Sequence, residues 1–234
     1  MTENIQSKLS NRQGSIRLII GILVFGSIWG FLEATLGGFL HLIIFPNKGA
    51  IMAGIGVALM TSALAIYRKP AMLPGIGIVA AAFKLLDVWL FALPVASIHI
   101  INPAMAIIFE ALAFGAIAAI FTNSVRKSVP ARIGVGVLAG IISAVAWVYF
   151  AIYVMDAPSY ARVVFTAGEF IAGSGVVQAV FFGAFLPLGY LAGEKLATRT
   201  VPAINGRGVL HYATSAAVVV FCWGISAVAM IAGL

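Results

Sequence analysis

The stretch "IRLIIGILVFGSIWGFLEATLGGFLHLIIF", Ile16–Phe45, decides the fold. After Arg17 it is almost wholly apolar, and its only charged or ionisable side chains are one glutamate, Glu33, and one histidine, His41. A bilayer core takes about 20 apolar residues as helix. At about 1.5 Å per residue this run would reach roughly 45 Å. It therefore predicts a first transmembrane helix that tilts, projects outward or breaks. Gly37-Gly38 is the expected break, because glycine weakens helix interiors. The run is too long for a secretory h-region, so an uncleaved helix is expected.

The rest of the chain obeys the same rule. Of 234 residues, 62% are hydrophobic and 9% charged, and the mean hydropathy is +1.11. Soluble domains hold about 25% charged residues, so lipid must be the solvent for most of this surface. Six further runs are long enough to span: Gly49–Tyr67, Met72–Ala96, Pro103–Phe121, Ile133–Met155, Thr166–Leu191 and Val209–Gly233. Pro187 is an expected kink or end in the sixth. The fold class is all-α, a polytopic bundle of about seven transmembrane helices. Residues 1–15 form a cytoplasmic tail, and 16–234 a single membrane domain. The seventh run is a plain series of Ala and Val with Trp223; were it peripheral, the core would be six helices.

The basic residues set the orientation. With the N-terminus inside, Lys8, Arg12, Arg17, Arg68, Lys69, Arg126, Lys127, Arg132, Lys195, Arg199 and Arg207 fall on the inner side. Only Lys48 and Arg162 fall outside, and Lys84 lies within a span. This is the positive-inside pattern, and it accounts for the net charge of +7 without nucleic acid. The expected location is the cytoplasmic (inner) membrane. One cysteine, Cys222, rules out a disulfide within the chain.

Four carboxylates lie within the spans and toward their outer halves: Glu33, Asp87, Glu110 and Glu169. Each ionised group at mid-membrane costs about 2.5–3.5 kcal/mol on insertion scales, so they are expected to face a shared polar pocket. Gly26, Gly30, Glu33 and Gly37 share one helical face, which turns Glu33 into the bundle. Lys84 and Asp87, at i and i+3, are placed to pair. "LEATLGG" and "FEALAFG" place Glu33 and Glu110 in similar settings in oppositely directed helices. A pocket of this kind prefers a cation. Trp29, Trp89, Trp147, Phe83 and Tyr149 are candidates to stack on a flat cationic ligand, and Lys84 to meet an anionic group on it. His41 and His99, both toward the outer side, are candidate metal ligands.

The short-looped spans, the early helix "GSIWGFLEATLGGFLHL" and the outer polar cluster together resemble the substrate-binding S components of energy-coupling factor transporters. The chain departs from that family in offering seven spans where six are usual. The resemblance implies a binding subunit for a micronutrient or metal ion. It also implies no enzyme activity, no cofactor of its own, and a transmembrane T component and ATPase subunits as partners. Gly26, Ser27 and Gly30 would dock the T component. Short loops leave no room for a soluble catalytic domain. The sequences G-x-x-x-x-G-K-[ST], H-E-x-x-H and G-x-S-x-G do not occur. Two other readings stay open: an ion-coupled secondary transporter using the membrane carboxylates, and a redox-complex subunit binding quinone or a haem between His41 and His99.

Overall fold

The computed structural model describes residues 2–43, 46–155, 166–206 and 208–233. It describes the side chains of these except residues 2–13, His41, His99, 199–206, 208 and 209. Among the described residues the chain is all helix, with seven stretches long and apolar enough to cross a membrane. They are Gly14–Leu40, Lys48–Tyr67, Pro70–Phe91, Ile100–Ile120, Val129–Tyr153, Ala167–Thr198 and Leu210–Ile231, called here the first to seventh spans.

Six of them close a ring. The first span packs on the second, the second on the sixth, the sixth on the fifth, the fifth on the fourth, the fourth on the third, and the third on the first. The seventh lies outside the ring, mainly against the first. In lipid there is little hydrophobic drive between helices, so close approach has to come from small residues and hydrogen bonds. Both are present. A Cβ on Gly189 of the sixth span would sit 2.2 Å from the Ala58 carbonyl oxygen of the second. One turn on, Gly193 lies as tightly on Ser62, whose Oγ donates to the Gly189 carbonyl at 2.8 Å. The fifth and sixth spans meet the same way, Gly140 against the Ala179 backbone and Gly136 against Phe182.

Large side chains fill the ring's middle and inner part. Trp29, Val57, Met60, Ile76, Phe114, Phe182, Leu186 and Tyr190 belong to one buried cluster. At the end expected to face inward, Arg132, 6% exposed, donates through Nε to the Val125 carbonyl at 2.8 Å and through Nη2 to the Arg126 carbonyl at 3.1 Å. These are carbonyls of the last turn of the short helix Thr122–Lys127, which have no partner within that helix. The same guanidinium lies 3.9 Å over the Tyr190 ring. Arg126 in turn donates to the Arg68 carbonyl at 3.2 Å. One of the basic residues that mark the inner side is thus a structural tie between the fifth and sixth spans.

The helices continue through both expected break points, and two other interruptions occur. The first helix runs unbroken from Thr2 to Leu42, through Gly37-Gly38. Glycine costs about 1 kcal/mol in a helix, less than leaving backbone groups unbonded in lipid. The helix Val176–Gly206 likewise passes through Pro187, held by Leu186 and Tyr190 buried on either side. The third span instead is interrupted by a 3-10 turn at Phe83–Leu85 before Leu86–Phe91. The sixth has a π-helical stretch at Ile171–Gly175. The fourth begins earlier than the Pro103 start predicted, at Ile98, with Pro103 inside it near the N-terminal end. There its missing N–H removes only an early bond.

The orientation has a direct test. Val95 is exposed between the third and fourth spans, and Lys69 between the second and third. Val95→Cys is expected to react with a membrane-impermeant maleimide in intact cells, and Lys69→Cys only after permeabilisation. Cys222, 4% exposed, should contribute little background. The reverse labelling pattern would invert the topology.

Candidate functional site

The ring holds a cavity of about 850 Å³ at the end expected to face outward. All six ring spans line it. The first contributes Glu33, Ala34, Gly37 and Gly38, and the second Lys48 to Ala50, Met52 and Ala53. The third contributes Lys84 and Asp87, and the fourth Asn102, Ala106, Ile107 and Glu110. Ser143, Ala144 and Trp147 come from the fifth span; Phe170, Ser174, Val177 and Gln178 come from the sixth. Met230 of the seventh also reaches it. Asn47 and Gly49, exposed or half-buried beside the first–second connection, mark the mouth. Ile107, Ala144 and Ala53, all buried, lie toward the base.

Both irregular segments belong to this wall. The 3-10 turn carries Lys84 and the π stretch carries Ser174. Non-helical backbone at membrane depth is tolerated where it lines a cavity, and π-bulges recur at functional sites.

Glu33 and Glu110, expected to converge, both line the cavity, from the first and fourth spans. Glu33 accepts from the Trp29 indole N–H at 3.3 Å. Trp29 is wedged behind it, 0% exposed, with Gly56 under its ring. Glu110 is 7% exposed and accepts from Gln178 Nε2 at 3.3 Å. The same amide nitrogen donates to Ser143 Oγ at 3.1 Å. Lys84 and Asp87 both line the cavity, but among the described residues no ion pair within 4.0 Å joins them. The positive charge of Lys84 acts on Asp87 and on Glu33.

The aromatic wall is Trp147 and Phe170, with ring centroids 5.0 Å apart. Trp147 is fixed by its indole N–H, which donates to Asn102 Oδ1 at 3.0 Å.

Other candidate residues lie elsewhere. Trp89 is 85% exposed and outside the cavity wall. Asp87 of the same short helix faces the cavity, and a residue two positions on is turned by about 200°, to the opposite face. Phe83 is buried and stacks on Trp223, with centroids 4.1 Å apart. Tyr149 is exposed and stacks on Tyr153. Trp29 supports Glu33 from behind and is not on the cavity surface. Glu169 is exposed and closes a capping box with Thr166: its carboxylate accepts from the Thr166 backbone N–H at 2.7 Å, and its own N–H donates to Thr166 Oγ1 at 3.3 Å. The side chains of His41 and His99 lie outside the described residues. No group of three or more His, Cys, Asp or Glu among the described residues is placed to hold a metal ion.

The small residues expected to dock a partner are filled from within the chain. Gly26 lies on Ile76 and Val79 of the third span, and Gly30 on the Phe83 ring. Ser27 is 0% exposed and accepts from the Trp223 indole N–H at 3.3 Å. The seventh span thus covers part of that face of the first.

Gln178, Ser143, Ser174 and Phe170 are the wall residues that charge-based reading passes over. A signal was present for one of them: Gln178 is the lone amide in the apolar run "GVVQAVFFGAF", and a polar side chain inside a span needs a partner. Trp89→Ala is expected to leave ligand binding within about twofold, and Trp147→Ala to weaken it about tenfold or more. Titration calorimetry on the purified variants checks both.

Comparison with protein families, curated proteins and solved structures returns no match to this chain.

Proposed function

We propose that this protein is the ligand-binding subunit of an uptake transporter, and that it takes a small cationic ligand from the outer side of the membrane. The observation that carries the reading is the cavity itself. Six helices surround it, carboxylates line it, and packed side chains fill the ring below it. A carrier working alone would need a polar route onward. The inner part of the ring offers Met60, Ile76, Phe114, Phe182 and Leu186 instead. The six-span ring, with the seventh helix outside it, also suits the resemblance to S components of energy-coupling factor transporters. Under this reading the driving ATPase and the transmembrane partner are separate chains. Their docking surface is not the Gly26–Gly30 face in the conformation described.

Native mass spectrometry of the gently purified protein, with uptake by the protein alone in liposomes, tests the proposal. A co-purifying small cation and no uptake without partner chains are the expected results. Accumulation of ligand by the lone chain, dependent on a proton or sodium gradient, would replace this reading with an ion-coupled carrier.

A further inference from the structure

The cavity floor has a hydrogen-bonding polarity that narrows the ligand further. Gln178 sits between two acceptors, the Glu110 carboxylate and the Ser143 hydroxyl oxygen, and its amide nitrogen serves both. Ser143 Oγ gives its hydrogen to the Gly140 carbonyl at 3.0 Å, so toward Gln178 it can only accept; the nitrogen must face it, and that fixes which end of the amide is oxygen. Both amide N–H groups are then used within the wall. Among the described residues no donor is placed on Gln178 Oε1 or on Glu110 Oε2. Two oxygens of the wall are therefore left as acceptors, Gln178 Oε1 on the sixth span and Glu110 Oε2 on the fourth. Lys84 lines another part of the wall, with Glu33 and Asp87. Beside the acceptors, Trp147 is held by Asn102 against Phe170 and offers an aromatic surface.

Resting on the binding-subunit reading, we propose that the ligand is a flat cation with two N–H donors on one edge, of the amidinium, guanidinium or protonated amino-heterocycle class. One donor meets Glu110, the second meets Gln178, and the plane lies along Trp147. Charge-assisted hydrogen bonds and cation–π contact act together in such a ligand. A compact ammonium can satisfy Glu110 but has no planar edge to use on both acceptors at once. Gln178 is the residue that selects between them.

Benzamidinium, benzylammonium and benzoate share a ring and differ in head group, which makes them suitable probes for the full-length protein in detergent. Titration with each, monitored by calorimetry and thermal melting, should show benzamidinium binding at least about tenfold more tightly than benzylammonium, and benzoate not at all. Gln178→Leu should erase the difference between the two cations. Equal binding of the two cations by the unaltered protein, preferential binding of benzoate, or no binding of benzamidinium up to tens of millimolar would overturn the ligand class. Those outcomes leave the binding-subunit reading intact, because that reading fails on uptake by the lone chain. If Gln178→Leu does not fold, Gln178→Glu provides the second measurement. A second carboxylate there should retain benzamidinium binding, and loss of it in a folded variant counts against the proposal.

Discussion

Gly189→Val is expected to abolish the folded protein. A Cβ at position 189 would lie 2.2 Å from the Ala58 carbonyl oxygen and 2.5 Å from Ala58 Cα. Both are backbone atoms, so no side-chain rotation relieves the clash, and the second and sixth spans must separate. Separation also breaks the hydrogen bond from Ser62 Oγ to the Gly189 carbonyl. Overpacking typically costs about 1–3 kcal/mol when side chains can shift; here the backbones must move, and the ring opens at one of its joints. The melting temperature in detergent should fall by roughly 10 °C or more, if folded protein is recovered at all. Gly134→Ala is the matched control, since a Cβ there meets nothing within 4 Å. A Gly189→Val protein that melts like the parent would mean that the second and sixth spans do not pack as described.

Glu110→Gln is expected to produce the largest loss of binding without loss of fold. The substitution keeps shape and hydrogen-bonding capacity but removes the charge. Glutamine at 110 can still accept from Gln178 through its side-chain oxygen, and the buried site can no longer carry a negative charge there. A hydrogen bond to a charged group is worth about 1.5–3 kcal/mol, so affinity for a cationic ligand should fall roughly 10- to 100-fold. Thermal stability in the absence of ligand should hold or rise, because a buried carboxylate with a like-charged neighbour is costly to keep. Calorimetry on the purified variant separates the two effects. Unchanged affinity would make Glu110 a packing residue and remove the main argument for a cationic ligand.

Lipid explains why so much of the architecture is readable from residue types alone. A span must be apolar for about 20 residues, so all seven register in composition, and basic residues mark the inner loops. The same pressure makes Glu33, Asp87 and Glu110 conspicuous, and all three line one cavity. Composition could not place the helix breaks. Whether backbone departs from the α-helix depends on what neighbouring helices offer to its freed groups. That decided for Phe83–Leu85 and Ile171–Gly175 and against Gly37-Gly38. Trp89 lies off the wall because it stands two residues, about 200°, from Asp87 in the same helix, which puts the two on opposite faces. Glu169 has the composition of a site residue and the position of a helix cap, and only the geometry of its N-terminal turn separates the two. Gln178 and Ser143 are neutral, so a search keyed to charge does not reach them.

The four tryptophans occupy four different environments. Trp29 is sealed behind Glu33, Trp223 is stacked on Phe83, Trp89 is exposed, and only Trp147 forms part of the cavity wall. The molecule therefore contains its own optical reporter. With the bright background of position 89 silenced by Trp89→Phe, intrinsic emission should respond to occupancy chiefly through one indole, so that arrival and departure of a ligand can be timed by stopped-flow without attaching a dye.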